Sequence, residues 1–295
     1  MIYNRGKFDW IIDILIYTFM VAMMVLTLYP FYYIIVASIS DPLRVMQHRG
    51  LILLPLGEIT FDSYFKVIFQ NPNISRGYQN TLIYVFGGLA VNLSMTVLAA
   101  YAMSRKQLKL RNVIMFGITF TMLFSGGMIP NFLLIRSLGM INTRWAIIIP
   151  GAISVYNMII LRTNFQTIPD SLDESARIDG ANDFVILFRI VLPLSQAAMA
   201  VMVLYYGVSH WNSWFPAMLY LRRRDLYPLQ TILREILISN DLNTLVTGAD
   251  AADRAPLGVT IQYATIIVST LPILAIYPFL QKYFVKGVMI GAIKG

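Results

Sequence analysis

The chain has no cysteine and two histidines, His48 and His210, in 295 residues. Disulfide frameworks, thiol catalysis and cysteine-based zinc sites are thereby excluded, and a histidine-rich metal site lacks the ligands to form. Charge is scarce too: 13% of the residues are charged, against about 25% in a soluble domain. With 57% hydrophobic residues, there are too few polar side chains to coat a globule in water, so much of the surface must face lipid. A Gly-x-x-x-x-Gly-Lys-Ser/Thr phosphate loop is missing, because Gly6-Lys7 has neither the upstream glycine nor the following hydroxyl. Neither His-Glu-x-x-His nor Gly-x-Ser-x-Gly occurs, which removes two common hydrolase signatures. Nothing here calls for a cofactor.

What the chain does have is apolar length. Six stretches, approximately 10–39, 78–103, 113–135, 145–161, 194–219 and 260–284, compare with the roughly 20 helical residues that cross a hydrocarbon core. The expected fold is an all-α integral membrane protein with six transmembrane helices in one domain over 1–295. The fourth stretch is the shortest, and Pro150 and Gly151 interrupt its start. Pro30 is expected to kink the first, and Pro272 and Pro278 the last, by removing backbone hydrogen bonds. The first is too long for a signal-peptide core of about 7–15 residues and is expected to remain as an uncleaved span.

The connection 104–112 packs in Arg105, Lys106, Lys109 and Arg111. Cytoplasmic loops concentrate Lys and Arg, so this places both termini inside, although Arg136 and Arg144 count against that orientation. The net charge of +8 follows from basic residues flanking apolar spans rather than from a nucleic-acid surface. The long segments 40–77 and 220–259 then lie outside, and 162–193 lies inside. Arg222, Arg223 and Arg224 in the second outer segment form a solvated or headgroup-facing cluster, or a contact for an acidic protein face.

The inner segment 162–193 carries the densest information. Ser171 followed three positions later by Glu174 is a capping-box pattern, which starts a helix. Asp173 and Glu174 suit the positive end of the helix dipole, and Gly180 lets the chain turn. Phe184, Val185, Leu187, Phe188 and Val191 make an apolar second piece. This is a short cytoplasmic helix–turn–helix, with two readings: a lock into a groove of a soluble partner, or an amphipathic helix lying on lipid headgroups. Headgroup helices favour Lys and Arg on their polar face, whereas this one opens with Asp170, Asp173, Glu174 and Asp179, which favours a protein partner.

The same loop resembles the permease motif of ATP-binding-cassette importers: Glu-Ala-Ala, three residues, Gly, nine residues, Ile, one residue, Leu-Pro. The matches are Glu174-Ser175-Ala176, Gly180, Ile190 and Leu192-Pro193, with every spacing kept and one small-for-small departure at Ser175. The chain is similar throughout to MalG-like sugar permeases of the LplC/YtcP type, including its ending from Tyr283 to Gly295. The resemblance implies a MetI/MalG-like permease fold in a bacterial plasma membrane. It implies a sister permease, a cytoplasmic ATPase dimer, an extracytoplasmic solute-binding protein and an oligosaccharide substrate. Asp173, Glu174, Ser175, Ala176, Gly180, Ala181, Phe184, Ile190, Leu192 and Pro193 would make the ATPase-docking element, with Glu174 and Gly180 central. The C-terminal tail would reach the ATPase dimer interface, and the outer segment 220–259 would engage the binding protein. The chain itself would not be an enzyme.

Polar residues within the spans are candidates for the translocation path, or simply bonds between helices worth about 0.6 kcal/mol each. They are Asn92, Ser94, Thr96, Asn157, Tyr205, Tyr206, Ser209, Gln262, Thr265 and Ser269; Asn157, Tyr205, Ser209 and Asn212 are the path candidates, with Asn157 and Tyr205 the two to test. His210, beside Trp211 and Trp214, reads first as an interfacial belt residue and second as a sugar contact. Gly126-Gly127 reads as close packing or a kink. The rival functions are a secondary transporter or channel, or a membrane scaffold for another cytoplasmic protein. Proton or sodium coupling usually needs acids within spans; the last two spans have none, and Asp13 lies near the boundary of the first.

Overall fold

Every regular element of the computed structural model is helical among the described residues, 9–238 and 251–292. In chain order the helices are α1 (Asp9–Ser38), α2 (Pro42–Gln47), α3 (Asp62–Phe65), α4 (Pro72–Ser104), α5 (Arg111–Leu123), α6 (Met128–Ser137), α7 (Trp145–Ile148) and α8 (Val155–Phe165). They continue with α9 (Asp170–Ile178), α10 (Asp183–Ile186), α11 (Leu192–Leu194), α12 (Gln196–Trp211), α13 (Trp214–Tyr220), α14 (Leu229–Ile238) and α15 (Ala251–Ala292). A π-helical turn, Leu187–Val191, joins α10 to α11 into one run.

Among the described residues, three helices are long and apolar enough to cross a membrane whole: Trp10–Ser38, Pro72–Ser104 and Leu257–Ile276 within α15. The other apolar stretches expected as spans are broken into shorter helices, two of them as bent pairs that would each make one span. The stretch 113–135 divides into α5 and α6, meeting at 113°. The break falls at Phe124–Gly127, where Gly127 takes φ +84°, so the glycine pair acts as the kink. The stretch 145–161 divides into α7 and α8 around a non-helical link at 149–154, which contains Pro150 and Gly151. The stretch 194–219 is the end of the α10–α11 run, then α12, then α13; the first two meet at 86° across Ser195. Conversely, α1 runs unbroken through Pro30, and α15 through Pro272 and Pro278. The second and last apolar spans also begin earlier than expected, at Pro72 and Leu257.

The chain forms two compact units. The first holds the residues up to Asn71 together with Ile236–Thr270. Its core is Val36, Ala37, Val45 and Ile52, with Tyr33 and Tyr263 edge-to-face at 5.9 Å. A buried bond from Ser63 Oγ to Thr260 Oγ1 (2.8 Å) and one from Gln262 Nε2 to the Ile236 carbonyl (3.2 Å) tie its segments. Along α1, Trp10, Leu15, Phe19 and Val25 are among many exposed apolar side chains. A helix with no apolar surface buried in its own chain at these positions needs lipid or another chain around it.

The second unit holds Pro72–Glu235 and the remainder of α15. One core cluster joins Val97, Ala100 and Tyr101 of α4 to Met158, Leu161 and Phe165 of α8 and to Met202 and Tyr206 of α12. A second joins Tyr84, Ile147, Ala217 and Leu226. Here Asn80, Thr81 and Tyr84 of α4 fasten the chain that follows α13. Asn80 Nδ2 donates to the Asp225 carbonyl (2.7 Å), Thr81 Oγ1 accepts from Leu229 N (2.9 Å), and Tyr84 Oη donates to the Leu226 carbonyl (2.8 Å). Tyr84 is fully buried, so Tyr84→Phe leaves that carbonyl without its partner at about 1 kcal/mol. The thermal midpoint of the purified protein in detergent is expected to fall; an unchanged midpoint would mean the carbonyl finds another donor.

Candidate functional site

The loop after α8 folds as a helix–turn–helix. Its first helix, α9, begins at Asp170 behind Pro169, and no side chain caps it. The capping-box expectation is therefore corrected. The acids that matter are bonded to basic side chains instead: Asp170 pairs with Lys106, and Asp173 Oδ1 with Arg105 Nη1 at 3.1 Å. Ser171 and Glu174 stand exposed.

The turn is a Schellman motif. Ala181 N donates to the Ala176 carbonyl (2.9 Å) and Gly180 N to the Arg177 carbonyl (3.0 Å), with Gly180 at φ +83°. That left-handed conformation suits a residue without Cβ. Asn182 then caps α10, its Oδ1 accepting from Val185 N at 2.9 Å.

Ion pairs set the angle between the two pieces. Arg177 donates through Nε to Asp173 Oδ2 (3.1 Å) and through Nη2 to Asp183 Oδ1, so it spans the turn. Those hydrogen bonds, to Asp173 first and Asp183 second, raise the Arg177 pKa above its ordinary value. Tyr101 Oη donates to Asp183 Oδ1 at 3.4 Å, and the Arg105 guanidinium lies 4.3 Å from the Tyr101 ring centre. Arg162 Nε donates to the Met103 carbonyl at 2.9 Å, linking the end of α8 to the end of α4. A cleft of about 260 Å³ opens beside the loop, lined by Arg105, Arg111, Gln166, Pro169, Glu174 and Ile190 among others.

The ten loop residues singled out from sequence fall together on this element. Glu174, Ser175, Gly180, Phe184 and Pro193 are exposed; Asp173, Ala176, Ala181, Ile190 and Leu192 are half-buried. Ala176, Ala181 and Leu192 pack against the core shared by α4, α8 and α12. An outward crown remains: Ile178 is 86% exposed, Phe184 65% and Phe188 59%. Sequence reasoning missed the scaffold of Tyr101, Arg105, Arg177 and Asp183, although the basic run at 105–111 and the acidic run at 170–183 were visible as complementary charges.

The path candidates divide. Tyr205 and Ser209 lie one turn apart on α12 and Asn212 ends that helix, the first half-buried and the others exposed, while Asn157 is buried on α8. His210 is buried and corrects the reading as a belt residue: its Nε2 lies 2.6 Å from Asn92 Oδ1. Asn92 also donates to the Gly151 carbonyl, and Thr96 bonds Tyr206, so these polar residues join elements, the bland alternative raised for them. The tail from Tyr283 is helical in backbone as far as Ala292, and its last residues, 293–295, lie outside the described residues, as do 239–250 of the outer segment expected to meet a binding protein.

Among the described residues every regular element is helical, several apolar stretches are broken, and the loop after α8 is an acid-led helix–turn–helix, which is the build of an importer permease. Its fold matches a chain in the crystal structure of a bacterial ABC transporter involved in the import of the acidic polysaccharide alginate, with a TM-score of 0.86, 34% identity, and 95% of this chain and 99% of that one covered. Among curated proteins it is 42% identical over 291 residues to the polygalacturonan/rhamnogalacturonan transport system permease protein YtcP of Bacillus subtilis, covering 96% of this chain and 98% of that one. It is 41% identical to the protein LplC of the same organism over 270 residues, covering 92% and 90%. No protein-family model matches the chain. It belongs to the family of bacterial sugar ABC-transport permeases.

Proposed function

We propose that this permease forms, with a sister permease, the translocation path of an ATP-driven, binding-protein-dependent importer in the bacterial plasma membrane. The exposed Glu174, on a helix pinned from behind by Arg105 and Arg177, carries this reading, since a rigid acidic knob beside an apolar crown is built to seat in a partner's groove. That partner is a cytoplasmic ATPase dimer, which holds the nucleotide chemistry this chain lacks. The whole chain, 1–295, then acts as one permease domain. It crosses six times: through the three whole helices, through α5–α6, through α7–α8 as a discontinuous span, and through α12 with its flanking turns. Both termini face the cytoplasm. Tyr205, Ser209 and Asn212 contribute to the path along α12, with Asn157 a further candidate.

The cargo is an acidic oligosaccharide. YtcP is named for polygalacturonan and rhamnogalacturonan, and the solved transporter for alginate, both rich in carboxylates. On this chain, Arg222, Arg223 and Arg224 follow α13. Asn142 Oδ1 accepts from the backbone N–H groups of Arg222 (3.0 Å) and Arg223 (2.9 Å), which holds this arginine row in place. Asp225, hydrogen-bonded by Arg223, has its carboxyl held below the usual range. Guanidinium groups pair with carboxylates in two-point geometry, as Arg223 already does with Asp225 while Arg224 pairs with Glu235 at 3.0 Å, so a uronide carboxylate would exchange with these acids on the row.

The test is purification from native membranes in mild detergent, followed by uptake of an oligogalacturonide into vesicles. Recovery of a cassette ATPase and a second permease, with uptake only when ATP is supplied, is the expected result. A chain that purifies alone and moves solute without ATP would instead be a secondary transporter.

A further inference from the structure

The non-helical link at 149–154 leaves backbone groups without helical partners in the middle of an apolar stretch, where such groups need partners from neighbouring helices or a water-lined cavity. Two side chains do so. Asn92 Nδ2 donates to the Gly151 carbonyl, and Tyr206 Oη accepts from Ser154 N at 3.0 Å. Each of these is oriented by a second residue. A carbonyl only accepts, so Asn92 must present its NH2 to Gly151 and its Oδ1 to His210, whose Nε2 therefore carries the proton and donates at 2.6 Å. Thr96 Oγ1 and Tyr206 Oη bond at 2.7 Å.

The four residues make two rungs at helical spacing. Asn92 and Thr96 are one turn apart on α4, and Tyr206 and His210 one turn apart on α12. All four are buried, with Asn92 and Thr96 fully so. Gly88, one turn before Asn92, makes room: a Cβ there would overlap the His210 ring. The link they hold leads straight into α8, whose start Ser154 caps by accepting from Asn157 N. At its other end α8 reaches Phe165, and only residues 166–169 separate it from α9.

We propose that the Asn92–His210 and Thr96–Tyr206 rungs are positioning residues that fix the 149–154 link as the hinge of α8, through which movement of the docking loop reaches the translocation path. This rests on the importer reading above. A span broken in its middle and gripped from two helices can rotate about the grip, whereas an ungripped break would absorb the motion locally.

The experiment uses the assembled complex in proteoliposomes, after wild type has shown ATP-driven uptake; failure at that stage counts against the importer reading and not against the hinge. His210→Leu and Tyr206→Phe are each expected to lower solute carried per ATP hydrolysed about tenfold. His210→Gln is expected to restore the ratio, because its amide can donate to Asn92 Oδ1. A merely structural role would lower the amount of complex and leave the ratio of the remainder unchanged, and that result overturns the proposal. Tyr206→Phe keeps the ring volume and so decides the matter if His210→Leu fails to assemble. Independently of transport, spin labels at Ser94→Cys and Thr163→Cys, exposed sites on α4 and α8 of a chain with no other cysteine, report the α8 angle. A narrow distance distribution in wild type that broadens in Tyr206→Phe supports the hinge; equal widths overturn it.

Discussion

Gly180→Val is expected to reach the membrane at wild-type levels and to lose ATP-driven uptake about tenfold or more. Beyond its two chain neighbours, nothing lies within 4 Å of where a Gly180 Cβ would sit, so crowding is not the cause. The cause is the backbone. At φ +83° the residue is in the left-handed region, which costs an ordinary L-residue about 1–2 kcal/mol and a β-branched one more. Relief comes by unwinding the Schellman turn, which re-aims α9 against α10 while the spans keep their packing. Asn tolerates this conformation, so Gly180→Asn is expected to retain most of the uptake. Immunoblotting of membranes alongside uptake and ATPase assays separates the outcomes. If Gly180→Val transports normally, the docking role of this loop is wrong.

Asp173→Ala is expected to weaken both the fold of the loop and its grip on the ATPase. The Asp173 side chain is 13% exposed and accepts from Arg105 and Arg177 at 3.1 Å each. Its loss strips both guanidinium groups of a shared acceptor, at an order of magnitude of about 1–3 kcal/mol. Arg177 keeps Asp183 and Arg105 keeps the Tyr101 ring, so the loop loosens without melting. Glu174→Ala is the control: Glu174 is exposed, so the thermal midpoint should hold while ATPase recovery on co-purification falls. Equal midpoints for the two variants would mean Asp173 is not the brace the geometry describes.

The loop was largely legible in the sequence because its logic is local. Fixed spacing from Glu174 to Pro193, a glycine at the turn, and aromatics after it specify a helix–turn–helix without knowledge of any distant residue. The capping detail was not legible, because Ser171 and Glu174 could have capped the helix but Asp170 and Asp173 were claimed by Lys106 and Arg105 far along the chain. His210 failed in the same way. Beside Trp211 and Trp214 it looks like an interfacial residue, and only the approach of α4, permitted by Gly88, puts Asn92 against its ring.

The sequence by itself determined the apolar surroundings, the helical class and the helix–turn–helix at 170–191, since hydropathy, charge content and short-range motifs act through neighbours along the chain. Tertiary structure alone decided where the spans break and what holds the breaks. A proline or glycine within an apolar stretch is compatible with a continuous helix, as in α1 and α15, or with an interruption, as between α7 and α8. Which occurs depends on whether other helices supply donors and acceptors for the freed backbone, as Asn92 and Tyr206 do for Gly151 and Ser154. Those partners lie 59 and 52 positions away, beyond the reach of any periodicity in the chain.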